Sequence, residues 1–149
     1  MYLVQHGQAT TEDEDPRRPL TDQGTADVDR VARTAVDRLG ARPSRAIHSG
    51  KTRARETAQI WGSLIGVDPE ESDGLAPNDD PATWVGRLAT ETADVMLAGH
   101  LPHLARLATA LLGGDPDRPL IGFQQGGLVA LERTDAGWMV MLVLPPSAV

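Results

Sequence analysis

The chain has 149 residues, 40% of them hydrophobic and 23% charged, the balance expected of one globular domain over residues 1–149 rather than of a disordered segment. Fourteen basic against 21 acidic side chains leave a net charge of −7, which argues against a general nucleic-acid binder and against a protein held on an anionic membrane. The absence of cysteine excludes disulfide scaffolds, thiolate zinc sites and cysteine nucleophiles. No apolar run approaches the length of a membrane span, and Met1–Val4 lacks the basic region and cleavage site of a signal peptide, so a cytoplasmic protein is expected.

In chain order, Tyr2-Leu3-Val4 reads as a buried first strand ending at Gly7. Residues 10–19 form a polar, acidic loop. Thr21 is placed to cap a helix whose Val28, Val31, Ala32, Ala35 and Leu39 recur at helical spacing up to Gly40. Arg45–His48 predicts a second strand. Ser49 predicts the N-cap of a second helix, with Ala54, Ala58, Trp61 and Ile65 near one face and Gly66 as its stop. A loop rich in Asp and Pro follows, with a short strand near Glu70 and a third helix over residues 81–89. Residues 94–99 predict a strongly apolar strand, and Pro102 opens a fourth helix running to Leu112. Residues 127–133 and 138–144 predict a terminal antiparallel pair turned at residues 134–137. Strands alternating with helices imply an α/β fold, a mainly parallel sheet with helices on both faces and an antiparallel C-terminal edge hairpin.

In such a sheet, ligands bind beyond the carboxyl ends of the strands. Three of the predicted strands end in polar residues there: Gln5-His6-Gly7, His48-Ser49 followed by Lys51 and Arg53, and His100 ahead of Pro102. A neutral imidazole is a competent nucleophile towards phosphorus. Arginine forks and helix N-termini stabilise the charge on a transferring phosphoryl group. Gly7 is read as removing a side chain where that group approaches. The combination suits phosphoryl transfer through a phosphohistidine, without a metal or cofactor.

The same residues carry a family resemblance. Gln5-His6-Gly7-Gln8-Ala9 resembles the Arg-His-Gly-Glu-Ala signature of the histidine phosphatase superfamily. Arg18-Pro19-Leu20-Thr21 with Gly24 is similar to its second block. Ser49-Gly50-Lys51-Thr52-Arg53-Ala54 with Thr57-Ala58 is similar to its Ser-x-x-x-Arg-Ala-x-x-Thr-Ala block. Gly99-His100-Leu101-Pro102 resembles the late block with the second histidine. Four blocks in the right order are specific where one tripeptide is not. The short chain and Gly126-Gly127-Leu128-Val129 resemble the SixA branch, the small phosphohistidine phosphatases. The resemblance implies a phosphoglycerate-mutase-like fold and no metal or cofactor. It makes His6 the phosphorylated nucleophile, gives Arg53 and His100 the phosphoryl group to hold, and adds Gln5, Gly7 and Arg18 as further phosphate contacts. It also implies a phosphorylated protein as substrate, because the short loop over residues 75–81 leaves the groove open.

Two departures bear on function. Gln5 stands where the family carries an arginine, and its amide donates hydrogen bonds without charge. No general acid can be assigned; Asp79 and Asp80 lie in the loop where other branches carry one. A phosphoramidate needs less help from an acid, because its P–N bond is labile. Two other readings fit the same residues: a phosphomonoesterase for a small phosphoester, and a weakly active module that binds phosphate or a phosphoprotein. Several features are read as structural. His48 is taken as a strand-end residue. His100 and His103 lack a third ligand for zinc. Arg17 belongs to a solvated charge run. Gly50-Lys51-Thr52 is not a P-loop, since Arg45 occupies the place of its first glycine.

Overall fold

Six strands form one sheet in the order β3-β2-β4-β1-β5-β6 in a computed structural model that describes all 149 residues. They are β1 (Tyr2–Gln5), β2 (Arg45–His48), β3 (Glu70–Glu71), β4 (Val95–Gly99), β5 (Leu128–Thr134) and β6 (Gly137–Leu144). The first four run parallel to one another, whereas β5 pairs antiparallel with β1, and β6 antiparallel with β5 at the sheet's edge. Four α-helices, α1 (Asp22–Arg33), α2 (Thr52–Ile65), α3 (Ala82–Thr90) and α4 (His103–Leu111), complete the fold.

The strands at the centre have no solvent face, which is why they read as unbroken apolar runs. Alternation sends Val4, Met96 and Ala98 to one face, where they pack with Val28, Val31 and Trp61 from α1 and α2. It sends Leu3 and Leu97 to the other, against Trp84, Leu104 and Leu107 from α3 and α4. Side chains such as Leu3 and Leu104, at 0% exposure, each contribute about 1.5–3 kcal/mol through burial. No helix is long and apolar enough to cross a membrane.

Helix ends follow local chemistry in most places. The Thr21 hydroxyl accepts from Gly24 N–H at 3.0 Å, as an N-cap should. Gly66 closes α2 in the left-handed conformation. The first helix is shorter than its apolar spacing suggests, ending at Arg33 and continuing as a π turn over Thr34–Arg38. Ser49 does not cap α2. The cap position is Lys51, which makes no side-chain cap bond, and the Ser49 hydroxyl goes elsewhere.

At the amino edge of the parallel strands the charges are matched. The Met1 ammonium meets Asp94 at 2.6 Å and donates to the Leu131 carbonyl. Arg45 pairs with both Glu70 and Glu91. Arg133 donates to the carbonyls of Leu88, Ala89 and Glu91 at the end of α3 and lies over the Trp138 ring. A groove of about 420 Å³ opens at this edge and includes none of the candidate site residues.

Candidate active site

The ends of β1, β2 and β4 are neighbours in the sheet, so topology alone gathers His6, Ser49 and His100 at one rim. The backbone holds His6 in place: its N–H donates to the Gly99 carbonyl at 3.0 Å. Its side-chain Nδ1 lies 2.7 Å from the Gly7 carbonyl. A carbonyl only accepts, so Nδ1 carries the proton and the neutral ring keeps its lone pair on Nε2. Arg53 Nε donates to that Nε2 at 3.2 Å.

Thr57 ties these two elements together. One turn beyond Arg53, its hydroxyl donates to the Arg53 carbonyl at 2.8 Å and accepts the Gly7 N–H at 3.1 Å. The second sequence block is anchored by Glu56, whose carboxylate accepts the Leu20 N–H at 2.7 Å. Just before it, Arg18 adopts φ of 52°, the only residue other than glycine with a positive φ. That conformation costs about 1–3 kcal/mol and is found where a fold aims a side chain. The Arg18 guanidinium donates to the Thr10 carbonyl and lies close enough to act electrostatically on both His6 and Arg53.

His100 is 1% exposed and its ring centroid lies 4.9 Å from that of His6. Its Nε2 sits 2.6 Å from Ser49 Oγ, while its Nδ1 is buried without a hydrogen-bond partner. His48 also serves the site, since its Nδ1 accepts the Gly50 N–H at 3.0 Å in the turn that carries Ser49.

Burial disfavours a proton on either central imidazole, and the nearby cations reinforce the effect. His6 is held down to about 4, by burial first and then by Arg53 and Arg18. His100 is held down to about 3, by burial, then by His6, Arg53 and Lys51. Burial and the proximity of Arg18 likewise lower Arg53. Both rings are therefore neutral at physiological pH in a pocket whose surrounding charge is positive. Such a pocket is suited to an anion and leaves a nucleophile uncharged.

Other expected participants lie differently. A Cβ on Gly7 would come within 2.8 Å of the Gly24 carbonyl and of Val28. The glycine is therefore required by close packing on α1. Its N–H and carbonyl are taken by Thr57 and His6, so neither reaches towards a ligand. Gln5 reaches the same rim, 8% exposed, with Oε1 lacking a partner. Asp79 and Asp80 accept from the Ala76 and Ala82 N–H groups and shape the loop before α3. Leu75 in that loop is fully buried, and His6 keeps only 7% of its surface. His103 is fully buried beside His100 in sequence, and no group of three His, Cys, Asp or Glu side chains is arranged to hold a metal.

Solved structures match this arrangement over nearly the whole chain. A SixA structure from Agrobacterium tumefaciens, described as a phosphohistidine phosphatase, is 30% identical, with a TM-score of 0.79 over 97% of this chain and 96% of that one. The chain belongs to the histidine phosphatase superfamily. The SixA protein histidine phosphatase complexed with tungstate superposes at a TM-score of 0.83 with 21% identity, over 98% of this chain and 96% of that one. An Entamoeba histolytica phosphoserine phosphatase carrying phosphoserine superposes at 0.76 with 12% identity, over 99% and 98%. These two show the shared fold. No protein-family model and no curated protein matches the sequence. The superfamily fold and the mixed sheet with its antiparallel C-terminal hairpin agree with the expectation from sequence, and membership makes the chain a phosphatase of the histidine type.

Proposed function

We propose that the chain removes phosphoryl groups from phosphohistidine, through a covalent intermediate on His6. One observation carries this reading. Nδ1 of His6 is engaged by its neighbour's carbonyl, which leaves a bare Nε2 lone pair facing Arg53. In the first step Nε2 attacks phosphorus, and the P–Nε2 bond forms as the substrate's P–N bond breaks; the departing imidazole keeps that bond's electron pair and leaves as a neutral ring, its other nitrogen being already protonated. In the second step water attacks phosphorus, the P–Nε2 bond breaks with its electron pair returning to Nε2, and the proton lost by water passes to an oxygen of the departing phosphate. Arg53 shifts its N–H from Nε2 to a phosphoryl oxygen as the group enters, and His100 and Arg18 share the charge.

The choice of phosphohistidine over a phosphoester rests on the groups around His6. Besides the Gly7 carbonyl, the charged groups that act on His6 are Arg53 and Arg18, while Asp79 and Asp80 each accept a backbone N–H of their own loop. The relative from Agrobacterium tumefaciens carries the name of a phosphohistidine phosphatase, SixA. A phosphorylated protein remains the proposed partner.

Acid quench after mixing with phosphoramidate or phosphohistidine tests the reading. The expected result is an adduct on His6 that is labile in acid and stable in base. His6→Ala should abolish it and lower turnover about 10⁴-fold or more. Full turnover in that variant would overturn the assignment. A higher kcat/KM for sugar phosphates than for phosphohistidine would move the substrate class to small phosphoesters.

A further inference from the structure

We propose that Ser49 is a positioning residue whose hydroxyl donates to His100 Nε2 and so keeps the His100 proton on Nδ1, ready for a phosphoryl oxygen. The proposal rests on reading His100 as a phosphate ligand and assigns how that ligand is prepared.

The contact is short, 2.6 Å from Ser49 Oγ to His100 Nε2, and it is the only hydrogen bond the Ser49 side chain makes. A hydroxyl can donate or accept, so the contact alone permits both neutral tautomers of His100. The other ring nitrogen decides between them. Nδ1 is buried and has no partner within the protein. Were the proton on Nε2, the lone pair of Nδ1 would be an unsatisfied acceptor in a cationic pocket, repelling any anion that entered. With the proton on Nδ1, the same atom is a donor that an anion completes. Only the second arrangement satisfies a buried polar group when the site is filled.

The turn that carries Ser49 is built to hold this contact. β2 ends at His48, whose Nδ1 accepts the Gly50 N–H at 3.0 Å. Gly50 sits at φ of 82°, a conformation that an L side chain rarely adopts, and a Cβ there would meet Glu71 Oε1 at 2.6 Å. This turn directs the hydroxyl across to the end of β4 and away from the first turn of α2. Helix α2 accordingly begins without a side-chain cap. The serine ahead of the helix spends its hydroxyl on His100 instead.

Side-chain ¹⁵N NMR of the protein without any oxyanion reads the tautomer directly and needs no turnover. His100 is expected to show protonated Nδ1 and bare Nε2. In Ser49→Ala the proton should redistribute towards Nε2, and Ser49→Thr, which keeps the hydroxyl, should restore the original pattern. Tungstate affinity should fall about five-fold in Ser49→Ala and recover in Ser49→Thr. A proton on Nε2 in the unaltered protein, or a tautomer unchanged in Ser49→Ala, would overturn the proposal. Failure of the phosphatase reading would appear separately, as the absence of a phosphorylated His6 with the tautomer result intact.

Discussion

The two edges of the parallel sheet use charge in opposite ways. At the amino edge the cations are matched: Met1 by Asp94, Arg45 by Glu70 and Glu91, and Arg133 by three carbonyls at the end of α3. At the carboxyl edge Arg53 has no carboxylate and points at an imidazole, Arg18 rests on a carbonyl, and His100 and Gln5 hold buried polar atoms with no partner. One edge is complete in itself. The other leaves cations and buried polar atoms without partners, at some cost to the fold, as a site for the proposed phosphoryl group requires.

Acid should separate the edges most strongly. His6 and His100 are neutral in the fold, while the unfolded chain protonates its histidines near 6.5. Below that value the unfolded state binds more protons, so stability falls as pH drops through 6.5. The loss continues until the folded rings protonate at about 4 and about 3. The total reaches at most about 8 kcal/mol. Denaturant titrations across this range should show the loss, and the double variant His6→Asn, His100→Asn should flatten it. An equally steep profile in that variant would place the acid sensitivity elsewhere.

Arg53→Ala comes next. It should weaken tungstate binding about 100-fold while changing stability by less than about 0.5 kcal/mol, because no ion pair is broken. A large stability loss with intact oxyanion binding would make Arg53 a structural residue. Arg133→Ala is the mirror test: about 1 kcal/mol less stable, or ~2–4 °C in melting temperature, with unchanged turnover. The smallest effect is expected from Gln5→Arg, which adds charge to the incomplete edge and should tighten tungstate binding several-fold. Unchanged affinity would show that position 5 does not face the phosphoryl group.

Much of this was readable in the chain. Apolar runs and glycine stops place the four parallel strands, the four helices and the C-terminal hairpin. Ending three strands in His6, His48-Ser49 and His100 points to one rim. Ser49 itself was misread, for a definite physical reason. A serine ahead of a helix is a strong local cap signal, whereas its actual partner depends on β2 lying beside β4, a neighbour some fifty residues away. Gly7 was read for the space it leaves to a ligand, but the space it leaves is for the backbone of α1. Thr57 was recognised only as a motif position. Its spacing of four from Arg53 was the available clue, and its bond to Gly7 was not, because that bond joins helix to strand. Asp79 and Asp80 stood out by their loop alone, and the bonds they accept from Ala76 and Ala82 N–H depend on the fold of that turn.

The position of β1 in the sheet has a consequence for how the protein comes into being. β1 precedes the other five strands in the sequence, yet it is wedged between β4 and β5. During synthesis, the segment bearing His6 therefore emerges ahead of both strands that will flank it. It must wait through more than a hundred residues of translation before β5 closes its second side. Contacts across such separations form slowly. A ribosome-bound chain ending before Leu128 would display His6 on an open sheet margin, without the Gly126 and Gly127 backbone bonds that fasten Gln5 and His6. Hydrolytic competence is thus expected to arise late and abruptly, once the C-terminal hairpin has left the exit tunnel.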